Sequence, residues 1–234
     1  MLLIAVAAVA TAGLALLYSR PWTLFAILAV LNAAVLIRWH SPADVVRWLI
    51  GATLGNAAEL LCDLGGVWVH STRQWLDAAP FNIFLCYPVL MLAVPRLLGS
   101  SEVDGRKGGA ALGLFIAHIG LSAHQGGDNS TQSWVSGITL AACLMVFHRG
   151  RDFAAGLLGM GMGLVWEIPC TALGSWTFPN PQALGLIPYW LPFAYAVFFM
   201  TTLRIGDALI ALRLPRPQLP IPLESRRQSG LPHD

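Results

Sequence analysis

Two carboxylates stand one helical turn apart in the apolar stretch GNAAELLCDLGGVW, residues 55–68: Glu59 and Asp63. Spaced i and i+4, they share a helix face. Ionised side by side in low dielectric they would repel and be poorly solvated, so the pair is expected to share a proton or hold a cation or basic partner. A third carboxylate, Glu167, lies in GLVWEIPCTALGSW, where Thr171 replaces an acidic neighbour. The segment AHIGLSAHQGGDNS adds His118 and His124. A carboxylic acid kept neutral in an apolar cavity protonates weakly basic groups such as alkenes, and aromatic faces stabilise the resulting cation. The candidate catalytic residues are therefore Glu59, Asp63, Glu167 and His124. The candidate substrate contacts are Asn56, His118, Trp68, Trp166, Trp176, Tyr87 and Tyr195. The plainer alternatives are a polar clasp between helices, an interfacial belt for the tryptophans and core packing for the tyrosines. No metal and no cofactor is expected, since no tight ligand motif or Gly-rich phosphate loop appears.

These residues need an apolar frame. Of 234 residues, 56% are hydrophobic and 11% charged, against about 25% charged in soluble domains. Mean hydropathy is +0.64. A net charge of +2 gives no nucleic-acid footprint. Cys62, Cys86, Cys143 and Cys170 all lie in apolar segments and read as buried thiols. Apolar runs at 2–18, 22–38, 43–69, 80–98, 109–125, 131–148, 152–176 and 187–211 predict an all-α polytopic membrane protein of about eight transmembrane helices in a lipid bilayer. Residues 1–17 lack a basic leader and read as a retained first span, with a signal anchor as the alternative. Residues 212–234 read as a Pro-rich polar tail.

With eight spans, Arg38, Arg96, Arg106, Lys107, Arg149, Arg151, Arg213, Arg216, Arg226 and Arg227 share a side with both termini. The other side has Arg20 and Arg73. This places both termini in the cytoplasm, in the cell membrane. Pro169, two residues after Glu167, predicts a kink or a freed carbonyl in its helix.

The chain also repeats. Gly55, Glu59, Cys62, Gly66 and Trp68 match Gly163, Glu167, Cys170, Gly174 and Trp176, and 167 − 59 = 108 holds for each pair. The same offset joins His40 to His148, Asp44 to Asp152, Gly51 to Gly159, Gln74 to Gln182, Pro80 to Pro188, Tyr87 to Tyr195 and Arg96 to Arg204. The reading is two tandem four-helix parallel repeats, 1–108 and 109–211, followed by the tail. Asp44 and Asp152 read as N-cap-like starts. At 1.5 Å per residue the glutamates lie about 22 Å further on, and Trp68 and Trp176 roughly 13 Å beyond them. Asn56, one turn before Glu59, is placed to orient it.

In both halves an acidic residue is followed by G-x-W, a loop and a proline opening the next span. The second half reads Glu167, Gly174-Ser175-Trp176, Gly185 and Pro188. The arrangement resembles the membrane carotenoid hydratases and lycopene-cyclase-type proteins, and GLVWEIP resembles the Trp-Glu motif of small fungal membrane meroterpenoid cyclases. That resemblance implies proton donors at Glu59 and Glu167 and a hydrophobic small-molecule substrate. The expected function is an intramembrane enzyme that cyclises, hydrates or isomerises an isoprenoid. The alternative is a proton- or cation-coupled transporter with the same residues as its relay; a metal site and a non-catalytic scaffold stand behind these.

Overall fold

The computed structural model describes residues 2–74, 79–98, 103 and 105–213. Helical rods follow the apolar runs: α1 Leu2–Leu17, α2 Pro21–Arg38, α3 Pro42–Leu64, α4 Phe81–Leu97, α5 Gly108–Gln125, α6 Asn129–Val146, α7 Gly150–Ala172 and α8 Leu191–Arg213. The chain is an all-α membrane protein. Among the described residues four rods, α2, α3, α7 and α8, are long and apolar enough to cross a membrane. That falls short of the eight crossings expected. The helices α1, with 16 residues, and α4, Phe81–Leu97, are short for a full crossing. In α5 and α6, glycine, serine, histidine, glutamine and asparagine dilute the apolar residues. The tail beyond Arg213 lies outside the described residues, with Arg216, Arg226 and Arg227.

Local sequence sets the helix ends. Prolines occupy the first turns of α2 and α3, where a missing N–H costs nothing. Ser41, rather than Asp44, caps α3: its Oγ accepts from the Asp44 amide at 3.2 Å. Asp128 caps α6 through the Thr131 amide at 2.8 Å. Both long helices that carry a glutamate stop before their expected ends at 69 and 176. Gly66 and Gly174 adopt φ +74° and +75°. The next amides, of Val67 and Ser175, donate back to the carbonyls of Cys62 and Cys170 at 2.9 and 2.8 Å. A left-handed glycine with this bond closes a helix and reverses the chain.

The irregular helix is α3, not α7. It passes through a π turn at Gly51–Gly55. By contrast α7 runs unbroken from Gly150 to Ala172. Pro169 falls in its last turn, where the ring leaves the Val165 carbonyl without its helical donor.

The core lies around α4 and α8. All residues from Cys86 to Pro95 of α4 are buried. Of the apolar window of α8, 72% is buried, against 22% for α2. The pieces interlock: α1 packs on α7, and α5 packs on α3. Close approach requires glycine at two equivalent places. A Cβ on Gly55 would fall inside Tyr87, and one on Gly163 inside Tyr195. Beyond the glycine turns, Val69–His70 (β1) pairs antiparallel with Trp176–Thr177 (β2), joining Val69 to Thr177. Since 69 + 108 = 177, a residue pairs here with its own counterpart, which only a local two-fold relation allows.

Candidate functional site

Each long helix presents one buried glutamate to side chains that return from beyond its own end. Glu59 of α3 accepts from Trp68 Nε1 at 2.9 Å. The hydroxyl of Tyr87 on α4 donates to its other oxygen. Glu167 of α7 repeats this arrangement: Trp176 Nε1 donates at 2.6 Å and the Tyr195 hydroxyl of α8 at 2.5 Å. The reversal at Gly66 and Gly174 makes these contacts possible. It also corrects the helical extrapolation: the tryptophans do not lie some 13 Å beyond the glutamates but hydrogen-bond them. Trp176 is buried rather than part of an interfacial belt.

The first clasp carries a group absent from the second. His70 Nε2 lies 2.7 Å from Glu59 Oε1, and its Nδ1 is hydrogen-bonded to the Tyr18 hydroxyl. Tyr18, His70 and Trp176 also meet as rings, with centroids 5.6 to 5.9 Å apart. Neither His70 nor Tyr18 was legible as a site residue. Their counterparts by the 108 offset are Phe178 and Gly126, so the repeat gave no signal, and His70 read as a loop residue.

A small cavity opens beside the second clasp. Its volume is about 50 Å³, and its wall includes Ala58, Tyr87, His118, Ser122, Glu167 and Tyr195. It lies where α3 of one half meets α5, α7 and α8 of the other. His118 is buried, and its Nδ1 finds no hydrogen-bond partner among the described residues. The equivalent place beside Glu59 is taken by Trp166, which also walls a second cavity of about 320 Å³ with Thr11, Leu90 and Met162. Trp166 stands where the cavity has Ala58, since 166 − 108 = 58, and it stacks on Tyr87 with centroids 6.3 Å apart. Ala10 and Leu14, both buried, stand where the cavity has His118 and Ser122.

Other expected site residues do not converge. His124 is exposed on the far face of α5, about a turn and a half past His118. Asp63 is buried but absent from the cavity wall; its carboxyl takes the His70 backbone amide, and Oδ1 has no partner. Asn56 does not orient Glu59: its Nδ2 donates to the carbonyls of Ala52 at 2.5 Å and Phe84 at 3.2 Å. Among the described residues no three His, Cys, Asp or Glu side chains are grouped to hold a metal.

The opposite end of the bundle holds a second duplicated contact. Arg96 Nη2 donates to Asp44 at 2.5 Å, and Arg204 Nε donates to Asp152 at 2.6 Å. Asp44 and Asp152 are thus ion-pair partners, not the caps expected of them. Arg96, counted among the charges on the side of the termini, belongs to α4, and Arg204 belongs to α8.

No protein-family model and no curated protein matches this chain. Solved structures do. The crystal structure of a mycobacterial Insig homolog, MvINS from Mycobacterium vanbaalenii, aligns with a TM-score of 0.57 at 19% identity, covering 76% of this chain and 97% of its own. A cross-linked cysteine variant of MvINS, solved as a trimer, aligns with a TM-score of 0.57 at 20% identity and the same coverage. The likeness is one of fold. It overturns the expectation of an isoprenoid-modifying enzyme, and of a coupled transporter as its alternative. The clasps agree: a proton donor needs an acid O–H aimed at substrate, whereas the oxygens of Glu59 and Glu167 are occupied by Trp, Tyr and His donors.

Proposed function

We propose that this protein is a non-catalytic, membrane-embedded binding protein for an amphipathic lipid, built on an Insig-like fold and responding to ligand by repacking the seam between its halves. The observation that carries this reading is the cavity beside the second clasp. It is mostly apolar, sits at the seam and includes the side chains of His118, Ser122 and Glu167 in its wall. A buried polar group without a partner costs about 1–3 kcal/mol, and a ligand hydroxyl reaching His118 would recover that. At about 50 Å³ the space suits one polar head, since a water occupies roughly 30 Å³ of liquid. Complete drug-sized pockets are about 300–1,000 Å³, so the apolar body of the ligand stays in the bilayer.

In this reading the chain crosses the cell membrane several times as two four-helix repeats, 1–108 and 109–211, with the 212–234 tail and both termini cytoplasmic. The duplicated clasps, ion pairs and glycine turns support the repeat. The arginine asymmetry supports the orientation.

The test is native mass spectrometry of protein purified in mild detergent, with the bound lipid identified after release. Wild type carries a lipid adduct. Ala58→Val, which fills the cavity, and His118→Leu, which removes the polar anchor, lose it while remaining folded. An adduct of the same mass and occupancy in both variants would overturn the proposal.

A further inference from the structure

At the end of the bundle away from the clasps, charges from both halves are buried together. Asp44 and Arg47 come from α3, Arg96 from α4, Arg151 and Asp152 from α7, Arg204 and Asp207 from α8. Asp44 pairs with Arg96, Asp152 with Arg204, and Asp207 with Arg151 at 2.5 Å. Each carboxylate thus has a guanidinium bonded to it, and Arg47 makes only the longer ion pairs. Its nearest anionic atoms are Asp207 at 3.8 Å and Asp44 at 3.9 Å, both beyond hydrogen-bond distance. Its side chain is only 11% exposed. Its Nε is enclosed and has no partner. Arg151, 10% exposed, also has a buried Nε without a partner. Gly206 of α8 leaves room for the Arg47 stem, with a would-be Cβ 3.9 Å from its Cγ.

A buried charge is held where something compensates it, and Arg47 has donors left to give. A guanidinium fork matches the two oxygens of a phosphate group. The site also lies at a helix-bundle end, where headgroups would sit, and Arg38 and Lys107 are exposed.

We propose that Arg47, assisted by Arg151, forms an anion site at the seam of the two halves that binds a phosphate group. Its chemistry is that of an anionic phospholipid headgroup or of a soluble phosphate. It is separate from the His118 cavity and does not depend on what that cavity binds.

The experiment compares wild type, Arg47→Met and Arg38→Gln in nanodiscs of phosphatidylcholine alone or with phosphatidylglycerol, and in detergent with or without inorganic phosphate. Arg47→Met leaves every carboxylate a guanidinium partner, so the variant folds. Wild type and Arg38→Gln gain thermal stability with phosphatidylglycerol and retain it as an adduct by native mass spectrometry. Arg47→Met binds roughly tenfold more weakly, the loss of one charge-assisted contact. Equal protection of wild type by free phosphate, again lost in Arg47→Met, assigns the site to a soluble anion. If neither probe distinguishes Arg47→Met from wild type, or if Arg38→Gln loses as much, the site does not exist and Arg47 is only a structural charge.

Discussion

Glu59 and Glu167 receive the same tryptophan and tyrosine at the same spacing, but their surroundings have gone opposite ways. Around Glu59, Trp166 takes the equivalent place, Ala10 and Leu14 line it, and His70 and Tyr18 add a third set of bonds. Around Glu167 the tryptophan's place is taken by Ala58, and His118 and Ser122 bring polar atoms to an opening. The π turn falls in the Glu59 helix alone. A duplicated scaffold has thus kept one clasp as a fastening and left the other beside a vacancy. What differs is not the carboxylate but the residue one helix position before its counterpart, and the helix that crosses it.

The comparison breaks most sharply at Trp166. Trp166→Ala removes a buried indole that stacks on Tyr87, and should cost about 3–5 kcal/mol. It should also give the first half a cavity like that of the second, so that two lipid adducts form instead of one. Loss of stability without a second adduct would show that a vacancy beside a clasp is insufficient, and that His118 carries the difference.

The ion pairs test whether the halves share a load. Arg204 is 2% exposed and Asp152 fully buried, whereas the Arg96 side chain is 23% exposed. Breaking a buried pair costs about 3–5 kcal/mol because it strands the other charge. Arg204→Met should therefore unfold at markedly lower temperature in detergent, and Arg96→Met should cost less than half as much. Equal losses would mean that the exposure difference has no energetic weight.

Glutamine replacements compare the clasps directly. Glu59 accepts from three side chains and Glu167 from two. A glutamine keeps one oxygen and points an N–H₂ at former donors. With charged hydrogen bonds each contributing about 1.5–3 kcal/mol, Glu59→Gln should cost about 3 kcal/mol and Glu167→Gln about half that. A larger loss at Glu167 would reverse the assignment of fastening and vacancy.

Much of this was legible in the sequence. The apolar runs placed every helical rod, because hydrophobic length survives in a single chain. The 108-residue offset pointed to Glu59, Trp68 and Tyr87 with their counterparts, although not to their contact. That contact was hidden because extrapolating a helix past Gly66 and Gly174 ignores the left-handed turn, and a Gly-Gly or Gly-Ser pair in an apolar run gives little warning of where it stops. His70 and Tyr18 were hidden for another reason: the repeat highlights what the halves share, and these residues belong to one half. Reading carboxylates as acids rather than acceptors also came from missing the donors. Fold geometry, not residue type, decides which role a buried glutamate takes.

The smallest expected effect is the most discriminating. Ala58→Val adds two methyl groups to a cavity of about 50 Å³. At about 24 cal/mol per Å³ of cavity filled, the gain is roughly 1 kcal/mol. The β-branched residue in α3 takes back about half of this. The variant should therefore melt slightly higher than wild type, by a degree or two, while losing its lipid adduct. A functional loss accompanied by a gain in stability is what a binding cavity predicts, since the empty space is unfavourable to the fold alone. If Ala58→Val is instead destabilised and keeps its adduct, the vacancy beside Glu167 is a packing flaw, and the two clasps differ in structure without differing in role.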